Sequence, residues 1–127
     1  MNSKEYIKLS ANTDHDFKTA TEMAERAFKE ARLLHYVLGA GTEVAELQDA
    51  VKKHIAYNKP LDVVNIKEEL GDWSWYMARI CDLYGWSFEE IMELNINKLK
   101  KRYGDKFTEA AAINRDIDAE RKILEEG

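Results

Sequence analysis

Proline occurs once, cysteine once and glycine six times in 127 residues. So little proline and glycine excludes a collagen-like or low-complexity chain and argues against a turn-rich all-β fold. A lone Cys81 can form neither an intrachain disulfide nor a cysteine-based zinc site. Long apolar runs are also missing. The longest stretch without a charge in the first half, Leu33 to Thr42, has 10 residues, against the roughly 20 that span a bilayer. The start, Met1 to Lys8, carries charge throughout and lacks the apolar centre of a signal peptide. These absences predict a cytoplasmic protein with no membrane partner. Nor is there an excess of positive charge: 19 basic against 24 acidic residues give a net of −5, which argues against a nucleic-acid partner.

What remains is a foldable chain, 45% hydrophobic and 34% charged. Its length predicts a single domain over residues 1–127, with a core at about 17–107 and a C-terminal arm at about 108–127. A chain this short removes only about two-thirds of its surface from water, so subunit association would help a thin core. Apolar residues recur at helical spacing in four segments. The first runs from about Phe17 to His35, with Thr13 and Asp14 as candidate caps, and the second from about Leu34 to Tyr57. Gly39 and Gly41 either separate these two or lie within one helix. Asn58-Lys59-Pro60 stops the second segment, Asp62 caps a third over Val63 to Tyr84, and Gly85 ends it. Ser87 then opens a fourth that reaches Tyr103, where Gly104 closes it. No stretch alternates with period two. The fold class is all-α: a four-helix-bundle-like core with a charged C-terminal arm carrying a short helix, completed by oligomerisation.

Carboxylates three apart on a helix share a face and can share a cation. Five such pairs occur, about as many as 24 randomly placed acids would give, so the number alone says nothing. Surroundings single out two. At 100° per residue, Glu69, Asp72 and Tyr76 form a narrow stripe flanked by Ile66, Leu70 and Trp73 on one side and Val64 and Trp75 on the other. Glu43, Glu46 and Ala50 form a similar stripe beside Val44, Leu47 and Val51. Packed together, the two helices would gather four carboxylates in a partly dry place, where they repel strongly unless a cation is present. All-oxygen donors favour Mg²⁺ or Mn²⁺ over zinc. A di-iron bundle needs Glu-x-x-His on two helices, and the residues three before His15, His35 and His54 are Asn12, Arg32 and Val51. On the fourth helix, Asn95, Lys98 and Arg102 form a polar stripe between apolar ones. These cations either complement the helix C-terminus or face a polyphosphate that the metal bridges. No P-loop or dinucleotide fingerprint accompanies them.

Gly41-Thr42-Glu43-Val44-Ala45-Glu46-Leu47, followed 22 residues later by Glu69-Leu70-Gly71-Asp72-Trp73-Ser74-Trp75-Tyr76, resembles the Glu-x-x-Glu … Glu-x-x-Asp signature of the MazG-like all-α nucleoside triphosphate pyrophosphohydrolases. Asn95-Ile96-Asn97-Lys98-Leu99-Lys100-Lys101-Arg102-Tyr103 resembles that family's Asn-x-x-Lys-Leu-x-x-Arg-Tyr block. The likeness covers about Leu33 to Phe107. It implies Mg²⁺-dependent attack of water on the α-phosphorus of a nucleoside triphosphate, releasing the monophosphate and pyrophosphate. It also implies Glu43, Glu46, Glu69 and Asp72 as metal ligands and catalytic carboxylates, with one of them orienting or deprotonating the water. Lys98 and Arg102 carry over as phosphate contacts and Asn95 as a polar positioner. Family members are dimers or tetramers, so a homodimer or homotetramer is expected here.

Tyr76 and Trp73 join the substrate-binding candidates, Trp73 either stacking on a base or packing in the core. Phe17, Phe28 and His35 are candidates for a base pocket. Arg115, in the arm, either reaches a neighbouring site or forms a structural salt bridge. The rival reading is a non-catalytic helical interaction or regulatory protein on the same scaffold, which would have no need of four acids together with Lys98 and Arg102.

Overall fold

A computed structural model describes residues 1–14 and 20–127. They form seven α-helices and no strand, so the chain is all-α as expected. Two compact units divide it, residues 1–35 and 36–127.

The first unit opens with α1 (Ser3–Ser10), followed by a 3₁₀ turn over Ala11–Thr13. The sequence reading assigned no helix here. Asn2 caps α1 by accepting a hydrogen bond from the Glu5 amide at 2.9 Å, with Glu5 in its first turn and Lys8 in its last. Capping and charge sustain it, for none of its residues is buried, and a pattern search keyed to buried periodicity has nothing to find. Thr13 closes the 3₁₀ turn and Asp14 follows it. The expected start of the next helix, Phe17 included, lies outside the described residues. Helix α2 covers Ala20–Lys29 and α3 Ala31–Tyr57. The break therefore falls at Glu30, and residues 31–35 begin α3 rather than end α2.

Both doubtful glycines lie inside α3, at a cost of about 1 kcal/mol each relative to alanine. Gly39 has a packing reason: a Cβ there would overlap the ring of Tyr76. Gly41 faces open space, and nothing in the structure explains it.

The second unit contains the rest of α3, α4 (Val63–Tyr84), α5 (Phe88–Tyr103), α6 (Glu109–Ile113) and α7 (Ile117–Glu126). Helix α4 matches its expected bounds. Asp62 accepts from the Asn65 amide at 3.0 Å at its start, and Gly85 ends it at φ 72°, in the left-handed region that glycine tolerates without strain. Ser87 caps α5 in the same way, accepting from the Glu90 amide at 3.1 Å. Between α3 and α4 the chain turns through Asn58 at φ 50°. There the His54 Nδ1–H donates to the Lys59 carbonyl at 2.8 Å, tying the end of α3 to the turn.

Helices α3 and α4 run antiparallel. Early α3 meets late α4, with the Tyr36 and Trp75 rings edge to face at 6.3 Å and the Arg79 guanidinium 5.9 Å from the Tyr36 ring centre. One turn further along α3, Gly39 meets Tyr76. Helix α7 returns along α5, so the charged arm is part of this unit's packing. The arm holds two short helices where the sequence reading assigned one.

Tyr36 is the one buried apolar side chain among the described residues; the other buried side chains are carboxylates, Glu69 and Glu120, each 3% exposed. The core is thin, as the length arithmetic suggested.

Candidate metal centre

The antiparallel pairing of α3 and α4 sets the site's register. Moving one turn from Gly39 reaches Glu43, and one turn back from Tyr76 reaches Asp72. One carboxylate oxygen from each of Glu43, Glu69 and Asp72 lies within 4.8 Å of the others. Glu69 is buried at the back of this nest, Glu43 is half-buried and Asp72 is exposed. Glu46 stands outside the three-atom nest, but its carboxyl shares a hydrogen bond with Glu69.

The electrostatics follow from this crowding. Loss of solvent raises the Glu43 carboxyl above its ordinary pKa, aided by a hydrogen bond with Glu69 and the charges of Glu46 and Asp72. The Glu46 carboxyl is raised too, chiefly by its hydrogen bond to Glu69 and by that group's charge. Carboxylates packed this closely either hold a proton or a cation. Mg²⁺ takes oxygen ligands at about 2.0–2.1 Å, so three converging oxygens need only small side-chain movements to reach one ion. The donor set fits Mg²⁺ or Mn²⁺ and offers no nitrogen or sulfur to a softer metal.

A second interaction fixes Glu69. Its Oε1 accepts a 2.6 Å hydrogen bond from Asn65 Nδ2, four residues earlier on α4. Asn65 and Glu46 also line a cavity of about 490 Å³ at the α3–α4 corner, with Lys53, Lys59 and Asp62. In that cavity Asp49 is held below its usual range by hydrogen bonds from Lys53 and Lys52, at 2.5 and 3.2 Å.

The remaining candidates divide. Tyr76 packs its ring over Gly39 and edge to face with Trp75 at 5.0 Å, so it spaces the two helices. Trp73 is 37% exposed beside the acidic stripe. On α5, Asn95 is exposed and Lys98 half-buried. Arg102 faces the arm. Its Nε and Nη2 donate to Glu120 at 2.8 and 2.7 Å, and its guanidinium lies 5.4 Å from the Tyr103 ring centre. Arg115 grips the same carboxylate at 3.3 and 2.7 Å, so of its two readings the salt bridge is the one observed. Phe28 is 85% exposed on α2 and His35 is exposed on α3.

Sequence reasoning passed over Asn65 and Glu120. Asn65 carries a usable signal, since its spacing of four from Glu69 puts the two side chains on one helical face. Glu120 carries none, because its partner Arg102 lies 18 residues away.

The family model for the MazG nucleotide pyrophosphohydrolase domain matches residues 28–107. The chain belongs to this family. The matched region contains the whole acidic nest, Asn65 and the α5 stripe of Asn95, Lys98 and Arg102, and it stops short of α6 and α7. No curated protein and no solved structure matches the chain significantly. Among the described residues, no helix is long and apolar enough to cross a membrane.

Proposed function

We propose that the protein is a Mg²⁺-dependent nucleoside triphosphate pyrophosphohydrolase, with Mn²⁺ as a substitute, that cleaves between the α and β phosphates. The observation carrying this reading is the convergence of Glu43, Glu69 and Asp72 oxygens around a buried carboxylate in a MazG-family chain. When bound there, a divalent ion neutralises phosphate charge and acidifies water. Glu43, Glu69 and Asp72 hold it. Glu46, beside the nest, orients the attacking water and accepts its proton. The water oxygen bonds to the α-phosphorus, and the bridging oxygen leaves with its electron pair as part of pyrophosphate. Lys98 and Asn95 meet the phosphate chain from α5. Arg102, which Glu120 holds through Nε and Nη2, is the third phosphate contact of this reading.

The working protein is a cytoplasmic homodimer or homotetramer. Support comes from α3, where Val37, Val44 and Val51 recur every seven residues and are 52%, 37% and 43% exposed. This apolar stripe is the kind of surface a second subunit covers.

Incubated with Mg²⁺ and a panel of ribo- and deoxyribonucleoside triphosphates, the protein should release pyrophosphate and a monophosphate from at least one of them. EDTA should stop the reaction, and Glu69→Gln should slow it by on the order of 100-fold or more. Orthophosphate as the product would overturn the proposed bond cleavage. A panel with no turnover would favour a non-catalytic interaction protein built on the same scaffold.

A further inference from the structure

We infer that Asn65 is a positioning residue for the metal centre, acting through Glu69; this rests on the reading of the acidic nest as a cation site. Glu69 is the most buried carboxylate of the nest, and Asn65 gives its Oε1 a 2.6 Å hydrogen bond. A carboxylate held at one oxygen loses rotational freedom and presents the rest of the group in one orientation. Its metal-bound geometry is then set before the cation arrives.

Asn65 is itself held. It is the third residue of α4, and its backbone N–H donates to the Asp62 cap at 3.0 Å. A glutamate or glutamine at this position commonly turns its side chain back to the cap residue. Here the amide points forward along the helix, to Glu69, so a cap and a ligand are joined through one residue. The chemistry of the donor is also specific. A lysine or arginine in its place would bring a positive charge to Glu69 and compete with the cation. A carboxamide supplies an N–H and no charge. It orients the ligand and leaves the nest's negative charge for the metal.

The test measures Mn²⁺ binding by calorimetry in the nucleotide-free, full-length protein, so turnover does not enter. Asn65→Ala and Asn65→Leu are compared with the unaltered chain, with Glu69→Gln as the reference for a lost ligand. Both Asn65 variants should weaken Mn²⁺ binding by about 10- to 100-fold, with metal-free melting temperatures within a few degrees of the parent. Leucine retains the bulk of asparagine without the donor, so a packing role predicts that Asn65→Leu binds Mn²⁺ normally. That result would overturn the inference, as would unchanged affinity in both variants while Glu69→Gln loses binding. If the unaltered chain takes up no Mn²⁺, the metal reading itself fails and the role of Asn65 falls with it.

Discussion

Gly39 and Tyr76 show how much one missing methyl group can decide. The Tyr76 ring occupies the space that a Cβ on residue 39 would need. The contact sits one helical turn from Glu43 on α3 and one turn from Asp72 on α4. Gly39→Ala should therefore destabilise the protein by about 1–3 kcal/mol and weaken Mn²⁺ binding by spreading the carboxylates. Adding Tyr76→Leu to Gly39→Ala should recover part of both losses, a coupling that denaturant melts of the four variants in a mutant cycle would reveal. At this scale the sequence was informative where spacing carries meaning. Glu43, Glu69 and Asp72 meet because three-residue steps on two packed stripes leave them little choice. The ring of Tyr76 also packs over Gly39 on another helix, a contact on which a wheel diagram has no information.

Among the elements, helices bounded by strong local chemistry were legible almost to the residue. Asp62 and Gly85 bracket α4, and Ser87 and Gly104 bracket α5, because a capping side chain or a left-handed glycine decides a boundary locally. Where no such signal exists the reading slipped. The break at Glu30 has neither proline nor glycine, and α1 buries nothing.

The docking of α7 on α5 was equally hidden, since it depends on Glu120 meeting Arg102 from 18 residues away. Hydrogen bonds from Arg102, then from Arg115, hold the Glu120 carboxyl far below the ordinary carboxylate range. A carboxylate with a lowered folded-state pKa contributes stability that is present above its unfolded value, 4.5, and is lost as pH falls through the folded one. The melting temperature should accordingly drop as pH is lowered from about 5 towards 3. Glu120→Gln should melt on the order of 10 °C lower at pH 7 and lose much of that acid sensitivity. Thermal unfolding followed by circular dichroism across this pH range would check both.

For the whole molecule, the notable fact is how little apolar surface one chain covers. Among the described residues Tyr36 is the one buried apolar side chain, while Leu38, Ile55, Val64 and Trp75 are all more than half exposed, as is Val37 on the α3 stripe. For the oligomer proposed above, repetition of the exposed Val37, Val44 and Val51 along α3 suits a second helix laid beside it. Light scattering coupled to gel filtration should give a mass of two or four chains. Val44→Asp, on this apolar stripe, should shift the protein towards monomer and lower its melting temperature. All-α class and thin core could be read from composition and length, because both follow from counting. Which apolar side chains stay exposed could not, since that depends on how the helices pack in three dimensions.

The join between Asp62, Asn65 and Glu69 has a consequence in time as well as in space. The first turn of a helix is where helices open most readily, and here that turn carries the residue that steadies a ligand. Each opening of the Asp62 cap releases the Asn65 amide to exchange with solvent and loosens Glu69 in the same event. A bound cation, by holding Glu69, would slow the exchange of Asn65 and its neighbours at the start of α4. On the proposed reading, each opening of the corner after Pro60 would therefore free one of the groups that hold the ion.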